Sequence, residues 1–313
     1  MRGTVWASAR SDCRTVADES FSPISSVLEE LEREQEVAEL TDPVTFDAPP
    51  VDEVVLGVQY ADAVTDDATA LADYWPQIRQ EFPHLEKQPP LLPASEEFGA
   101  KPRESRFQFE VLQSLTPQRY WFSDGGNWLV QVQQDRFILN WRRREPTDVY
   151  PRYRAIRRRF EELFRPFVDG LDPERLAKNP PTWCEVTYIN QIDAAAPSDA
   201  SKHVPLSRIL RLVKSPRSSV LLPPEETQFQ QRHIIPSVDE GGDPAGRLYL
   251  TAIPALRAAD STAIYSLTLL ARARPDGKSR AAILRSFDQG RDRIVRTFKE
   301  ITTERMHKKW KLR

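Results

Sequence analysis

Apolar residues recur along this chain with two periods, two for strands and three-to-four for helices. The near-continuous apolar run VVLGVQY (Val54–Tyr60) predicts a buried strand. DDATALADYWPQIRQEF (Asp66–Phe82) predicts a helix with Leu71, Tyr74, Trp75, Ile78 and Phe82 on one face, kinked or restarted at Pro76. Residues 83–102 read as a proline-dense loop, and SRFQFEVLQ (Ser105–Gln113) alternates as a strand. RYWFS and NWLVQVQQ flank Asp124–Gly125–Gly126, a hairpin signal, and RFILNWR (Arg136–Arg142) is the next strand. From Pro151 an amphipathic helix follows, with Tyr153, Ile156, Phe160, Leu163, Phe164 and Phe167 at helical spacing.

A similar order then returns. CEVTYINQI (Cys184–Ile192) is a strand and LSRILRLV (Leu206–Val213) a short helix. QFQQRHII (Gln228–Ile235), GRLYLTAIPAL (Gly246–Leu256) and TAIYSLTLLARA (Thr262–Ala273) are strands. A long helix closes the chain, with Ile283, Leu284, Phe287, Ile294, Val295, Phe298 and Ile301 facing inward. The tail MHKKWKLR (306–313) extends it, its cations suiting a helix C-terminus and Trp310 packing on the body or at a dimer contact. The expected class is α+β: two β-α-β(3–4)-α units from an internal duplication, each an antiparallel sheet under its own long helix. That layout is TATA-binding-protein-like or helix-grip-like.

The domain reading follows. Residues 1–22 are a disordered tail. Residues 23–48 are an acidic helix and linker, with Ser22 as cap, Pro23 in the first turn, and Ile24, Val27, Leu28 and Leu31 as an apolar stripe. Residues 49–180 and 181–313 are the two halves.

Several segments resemble an uncharacterised, sporadically distributed prokaryotic family of conserved hypothetical proteins. They are PPVDEVVLGVQY (49–60), FPHLEKQPPLLP (82–93), RYWFSDGGNWLVQVQQDRFILNWRRR (119–144), YPRYRAIRRRFEELFRPF (150–167) and CEVTYINQI (184–192). The resemblance implies no activity. Its distribution is similar to that of mobile-element or defence genes, which implies such a context.

Composition narrows the function classes. Of the 313 residues, 40% are hydrophobic and 29% charged, as in folded proteins, and the net charge of −2 gives no global pull toward nucleic acid or an anionic membrane. Two cysteines, Cys13 and Cys184, make neither a zinc site nor a local clip. No signal-peptide run and no spanning apolar stretch is present, so the expectation is a cytoplasmic protein with no membrane role.

The familiar catalytic motifs are missing. His84, His203, His233 and His307 have no ligand spacing, there is no G-x-S-x-G or G-x-G-x-x-G, and Gly277–Lys278–Ser279 lacks the first glycine of a phosphate loop because Arg272 stands there. No metal or cofactor is expected. Two constellations remain. Arg142, Arg143 and Arg144 close a strand, and Arg154, Arg157 and Arg158 follow on the next helix, beside Trp141 and Tyr150. They read as a solvated face, a seat for an acidic protein partner, or a track for a phosphate backbone. The acidic helix at 23–40 has the charge to mask them.

The second constellation is polar residues on predicted strands: Glu53 and Gln59 on one, Glu185, Thr187 and Asn190 on its counterpart, with Gln131, Gln133 and Asn140 nearby. They read as the wet face of a sheet, or as a polar pocket formed by Glu53, Gln59, Glu185 and Asn190. The expected function is a non-enzymatic binding or assembly protein engaging a protein partner, a homodimer included. A nucleic-acid-binding module, and a small-ligand binder or enzyme at the Glu53/Glu185 pocket, are the alternatives.

Overall fold

The computed structural model describes residues 44–66, 69–98, 118–214, 220, 224–237 and 242–313, all in one unit, Val44–Arg313. The expected acidic helix, the disordered tail and the strand at Ser105–Gln113 lie outside the described residues.

The strands are β1 (Val51–Tyr60), β2 (His84–Gln88), β3 (Arg119–Ser123), β4 (Trp128–Gln133), β5 (Arg136–Arg142), β6 (Pro181–Asp193), β7 (Ala195–Ala196), β8 (Asp199–His203), β9 (Phe229–Ile235), β10 (Gly246–Leu256) and β11 (Ala263–Ala273). β7 and β8 form a small ribbon, and the other nine join one sheet in the order β2-β3-β4-β5-β1-β6-β11-β10-β9. Each neighbouring pair is antiparallel.

This corrects the expected architecture. Two sheets, each under its own helix, were anticipated, and a single nine-stranded sheet is found. The joint is β1 against β6, where Val54 faces Tyr188, Leu56 faces Val186 and Val58 faces Cys184. Both strands are apolar enough to need a neighbour on each side. Pairing them removes two hydrophobic edges, which a split into separate sheets would expose.

The helices are α1 (Trp75–Ile78), α2 (Tyr153–Asp169), α3 (Pro173–Lys178), α4 (Arg280–Ile301) and α5 (Glu304–Lys309). α2 and α4 lie side by side on one face of the sheet. Phe137 of β5 meets Phe160, Phe164 and Phe167 of α2, and Phe160 meets Phe287 of α4 edge-on at 4.8 Å. α4 approaches β6 and β11 closely at Gly290, where an added Cβ would stand 3.2 Å from Val186 Cγ2. Between the helices, Arg157 Nε donates to both carboxylate oxygens of Asp288 at 2.8 and 3.0 Å, and the Tyr153 hydroxyl donates to Oδ1 at 2.6 Å. Burial alone favours a neutral Tyr153, and the Asp288 carboxylate reinforces that by raising its pKa further.

Local departures from expectation have local causes. Before Pro76 the chain makes a π-helical turn, Ala70–Tyr74, and α1 restarts with the proline in its first turn. The stretch read as a loop from residue 83 contributes β2 at the sheet edge. Leu206, Ile209 and Leu210 are buried as their pattern suggested, but only Leu206–Arg208 form a turn of 3-10 helix. The backbone beyond pairs with the end of α4 instead: Arg211 N–H donates to the Ile301 carbonyl and Thr303 N–H to that of Ile209.

That pairing also stops α4 at Thr302, so the tail is a separate helix, α5, rather than an extension. Trp310 is buried against Phe298 and Phe46, and Phe46 pairs with Leu312. The stretch read as linker is thus tied to the chain's end from Val44 onward.

Candidate binding face

Period-two alternation puts the apolar residues Val54, Leu56, Val58, Phe137, Leu139, Cys184 and Val186 under the helices. The opposite face is polar. Across it, register gives the rows Gln131–Ile138–Gly57–Glu185–Arg272–Arg247 and Asn140–Val55–Thr187–Leu270–Tyr249. Side chains on this face meet each other at strand spacing and build two clusters.

The first cluster grips a strap. After β2, residues 89–98 (PPLLPASEEF) cross the polar face from β4 to β10 without regular secondary structure. Leu91 N–H donates to Gln133 Oε1 at 2.8 Å, and Gln133 Nε2 donates to the Leu91 carbonyl at 3.0 Å. Ala94 and Gln59 repeat the two-way contact at 2.8 and 3.3 Å. Arg136 Nη2 donates to the Leu92 carbonyl at 3.3 Å.

The local sequence explains this. Pro89, Pro90 and Pro93 have no N–H, and the donors used are those of Leu91 and Ala94, which follow Pro90 and Pro93. Those two residues are three apart, the repeat of an extended proline-rich chain, and so present to the same side.

The strap ends in a charge clamp. The Glu96 side chain is fully buried and accepts from Arg247, from the Tyr249 hydroxyl and, at 2.7 Å, from Arg272. Arg272 also donates to Glu185 at 2.6 Å and stands over the Tyr249 ring, while Arg247 stands over Phe98. Burial alone pushes the Glu96 pKa upward. The donors from Tyr249, Arg247 and Arg272 together outweigh it and hold the carboxyl below its ordinary value.

The second cluster lies toward the other edge. Guanidinium groups of Arg119 and Arg142 stand 5.5 and 5.6 Å from the Trp121 ring. Arg119 Nη1 and Trp121 Nε1 donate to Gln131 Oε1 at 3.1 and 3.0 Å. Gln131 Nε2 donates to Asn140 Oδ1 at 2.7 Å, and Asn140 Nδ2 to Glu53 Oε1 at 2.5 Å.

Glu53 and Arg142 oppose each other in register, but no ion pair closes between them. Burial raises the Glu53 pKa despite its bond from Asn140, and burial lowers that of both arginines. Arg119 Nε and Arg142 Nε are buried without a hydrogen-bond partner.

The expected site residues divide accordingly. Glu53, Gln59 and Glu185 share the polar face, but Gln59 binds the strap, Glu185 binds Arg272 and Glu53 binds Asn140, so they do not converge. Asn190 is an odd number of residues from Glu185, faces the helices, and donates to the Leu267 carbonyl at 3.1 Å. The arginine segment is divided too. Arg142 joins the Trp121 cluster, Arg143 donates to the Val51 carbonyl at 3.1 Å, and Arg144 is exposed beside Gly126. Arg157 is drawn between the helices by Asp288, and Arg154 and Arg158 are exposed on α2.

Arg119, Trp121, Arg247, Tyr249, Arg272 and Glu96 carry the face and escaped the sequence reading. The signal available was alternation: each strand member among them occupies the outward parity of its strand.

Among the described residues, no group of three His, Cys, Asp or Glu is placed to hold a metal ion, and no helix is long and apolar enough to cross a membrane. Compared with protein-family models and with curated proteins, the sequence matches none.

Proposed function

We propose that this chain is a non-catalytic binding protein that holds a protein partner on the polar face of its sheet. The observation that carries the reading is the paired amide contact of Gln133 with Leu91 and of Gln59 with Ala94. Side chains of this face recognise the main chain of an extended segment, as peptide-binding surfaces do. The carboxylates favour binding over catalysis, since Glu185 and Glu96 are held by arginines. The arginines favour a protein over nucleic acid. Arg143, Arg152, Arg157 and Arg159 already serve backbone carbonyls or carboxylates, and Arg142 faces away from α2.

Co-expression with products of neighbouring genes, followed by pull-down, tests it. Thr187→Arg and Thr268→Arg put bulky charge on the polar face beyond the strap. Both should abolish capture of the partner in variants whose circular-dichroism melts match the wild type, while Arg158→Glu on α2 should leave it intact. Capture lost only in Arg158→Glu would overturn the reading.

A further inference from the structure

The two clusters of the polar face have the same parts. Arg247, Arg272 and Tyr249 combine two guanidinium groups with an aromatic ring, and they hold a carboxylate, that of Glu96. Arg119, Arg142 and Trp121 again combine two guanidinium groups with an aromatic ring, and they hold none. Among the described residues neither Arg119 nor Arg142 forms an ion pair, and each buries an Nε–H without an acceptor. A buried donor left unmet is uncommon in folded proteins and calls for an absent acceptor.

The nearest acids do not supply it. Glu53 is engaged by Asn140, and Glu86 and Asp124 act on Arg142 only through the field. The rest of the cluster is satisfied: Gln131 and Asn140 form a relay that fixes Trp121 and Arg119 in place. The two guanidinium groups are therefore held in place, each with its Nε–H unmet.

We infer that Arg119, Trp121 and Arg142 form a seat for an acidic side chain of the bound partner, which lies across this face as an extended peptide. The inference rests on the proposed binding role and specifies the partner's chemistry. Charge complementarity is what selects the occupant. A carboxylate can bridge two guanidinium groups, and Glu96 does so on the same sheet, accepting from Arg247 through one oxygen and from Arg272 through the other. A neutral amide can accept but brings no charge, and a basic side chain has no acceptor.

The test uses the full chain and two labelled ten-residue peptides of Pro, Leu, Ala and Ser background, one carrying a single glutamate and its twin a glutamine. Fluorescence anisotropy should show the glutamate peptide binding at least tenfold more tightly to the wild type. Arg142→Met and Arg119→Gln should each remove that preference while leaving affinity for the glutamine peptide within about twofold, which also reports that the variant is folded.

Equal affinity of wild type for both peptides overturns the carboxylate seat and leaves the binding role standing. Failure of both peptides to bind removes the binding role and the seat together. Equal weakening of both peptides in Arg142→Met assigns that arginine a structural role and overturns the seat. A gain in glutamate-peptide affinity on replacing Glu29, Glu30 and Glu32 by glutamine would assign the seat to the chain's own acidic segment. An Arg142-dependent dimer would assign it to a second copy. Either result overturns the external partner.

Discussion

The side-chain amide of Gln59 reads the main chain of Ala94 in both directions: Ala94 N–H donates to Oε1 at 2.8 Å, and Nε2 donates to the Ala94 carbonyl at 3.3 Å. Gln133 does the same for Leu91, so two buried glutamines fasten the strap. Gln59→Leu and Gln133→Leu conserve much of the volume but strand a backbone donor and acceptor. Each should cost about 1–2 kcal/mol. Limited proteolysis should show faster cleavage within residues 89–98, with the double variant worse than either single one.

Two carboxylates of the polar face should answer acid in opposite ways. Glu96 has its folded pKa lowered beneath the ordinary 4.5. Its contribution is present above that value and is lost as pH falls through the lowered folded value. Glu53 has its folded pKa raised above 4.5, chiefly by burial. Its ionisation therefore burdens the fold at neutral pH, and the burden lifts as pH falls through the raised value. At pH 7, Glu96→Gln should lower stability by about 3 kcal/mol, whereas Glu53→Gln should raise Tm. Thermal melts of both variants at pH 7 and pH 4 check the signs.

Gly290 lets α4 settle onto the sheet. A Cβ there meets Val186 Cγ2 at 3.2 Å and the Ala271 Cβ at 3.5 Å, and Val186 is itself buried. Alanine favours a helix by about 1 kcal/mol over glycine, but overpacking costs about 1–3 kcal/mol. Gly290→Ala should therefore destabilise by about 1 kcal/mol in urea melts. Combining it with Val186→Ala should turn the Gly290→Ala step stabilising, a coupling that a double-mutant cycle measures.

Beside the Phe160–Phe287 contact, the Asp288 carboxylate ties α2 to α4. Asp288→Ala removes the acceptor that the largely buried Arg157 guanidinium and Tyr153 hydroxyl share. Loss of about 3 kcal/mol is expected. Arg157→Met together with Asp288→Leu should recover much of it, because well-packed apolar side chains replace a buried pair at little cost.

Cys184 lies under α4, and burial pushes its thiol up to about 12. A Cys13→Ser chain should therefore resist iodoacetamide in native buffer at neutral pH and react fully in denaturant. Native labelling at the rate of a free thiol would contradict this placement.

Much of the local structure was legible in the sequence. The strands at Arg136–Arg142 and Gly246–Leu256 fall where the alternation put them, as does the hairpin at Asp124–Gly126. Parity places Asn190 opposite Glu185, but the pocket reading grouped the two by strand rather than by face. Strand membership was lost at β2, whose partners are supplied by β3, and the helix expected at Leu206–Val213 gave way to pairing with the end of α4.

By itself, then, the sequence determined the strongly periodic elements, such as β5, β10 and α2, and their faces, since dihedral preference and side-chain period act within a few neighbouring residues. Only the tertiary structure decided that β1 pairs with β6 to make one sheet, that residues 89–98 run across it, and that Arg119 and Arg142 share Trp121. Those contacts join residues up to 130 or more positions apart, as between β1 and β6. Their energy depends on which surfaces are buried together, a quantity no local pattern contains.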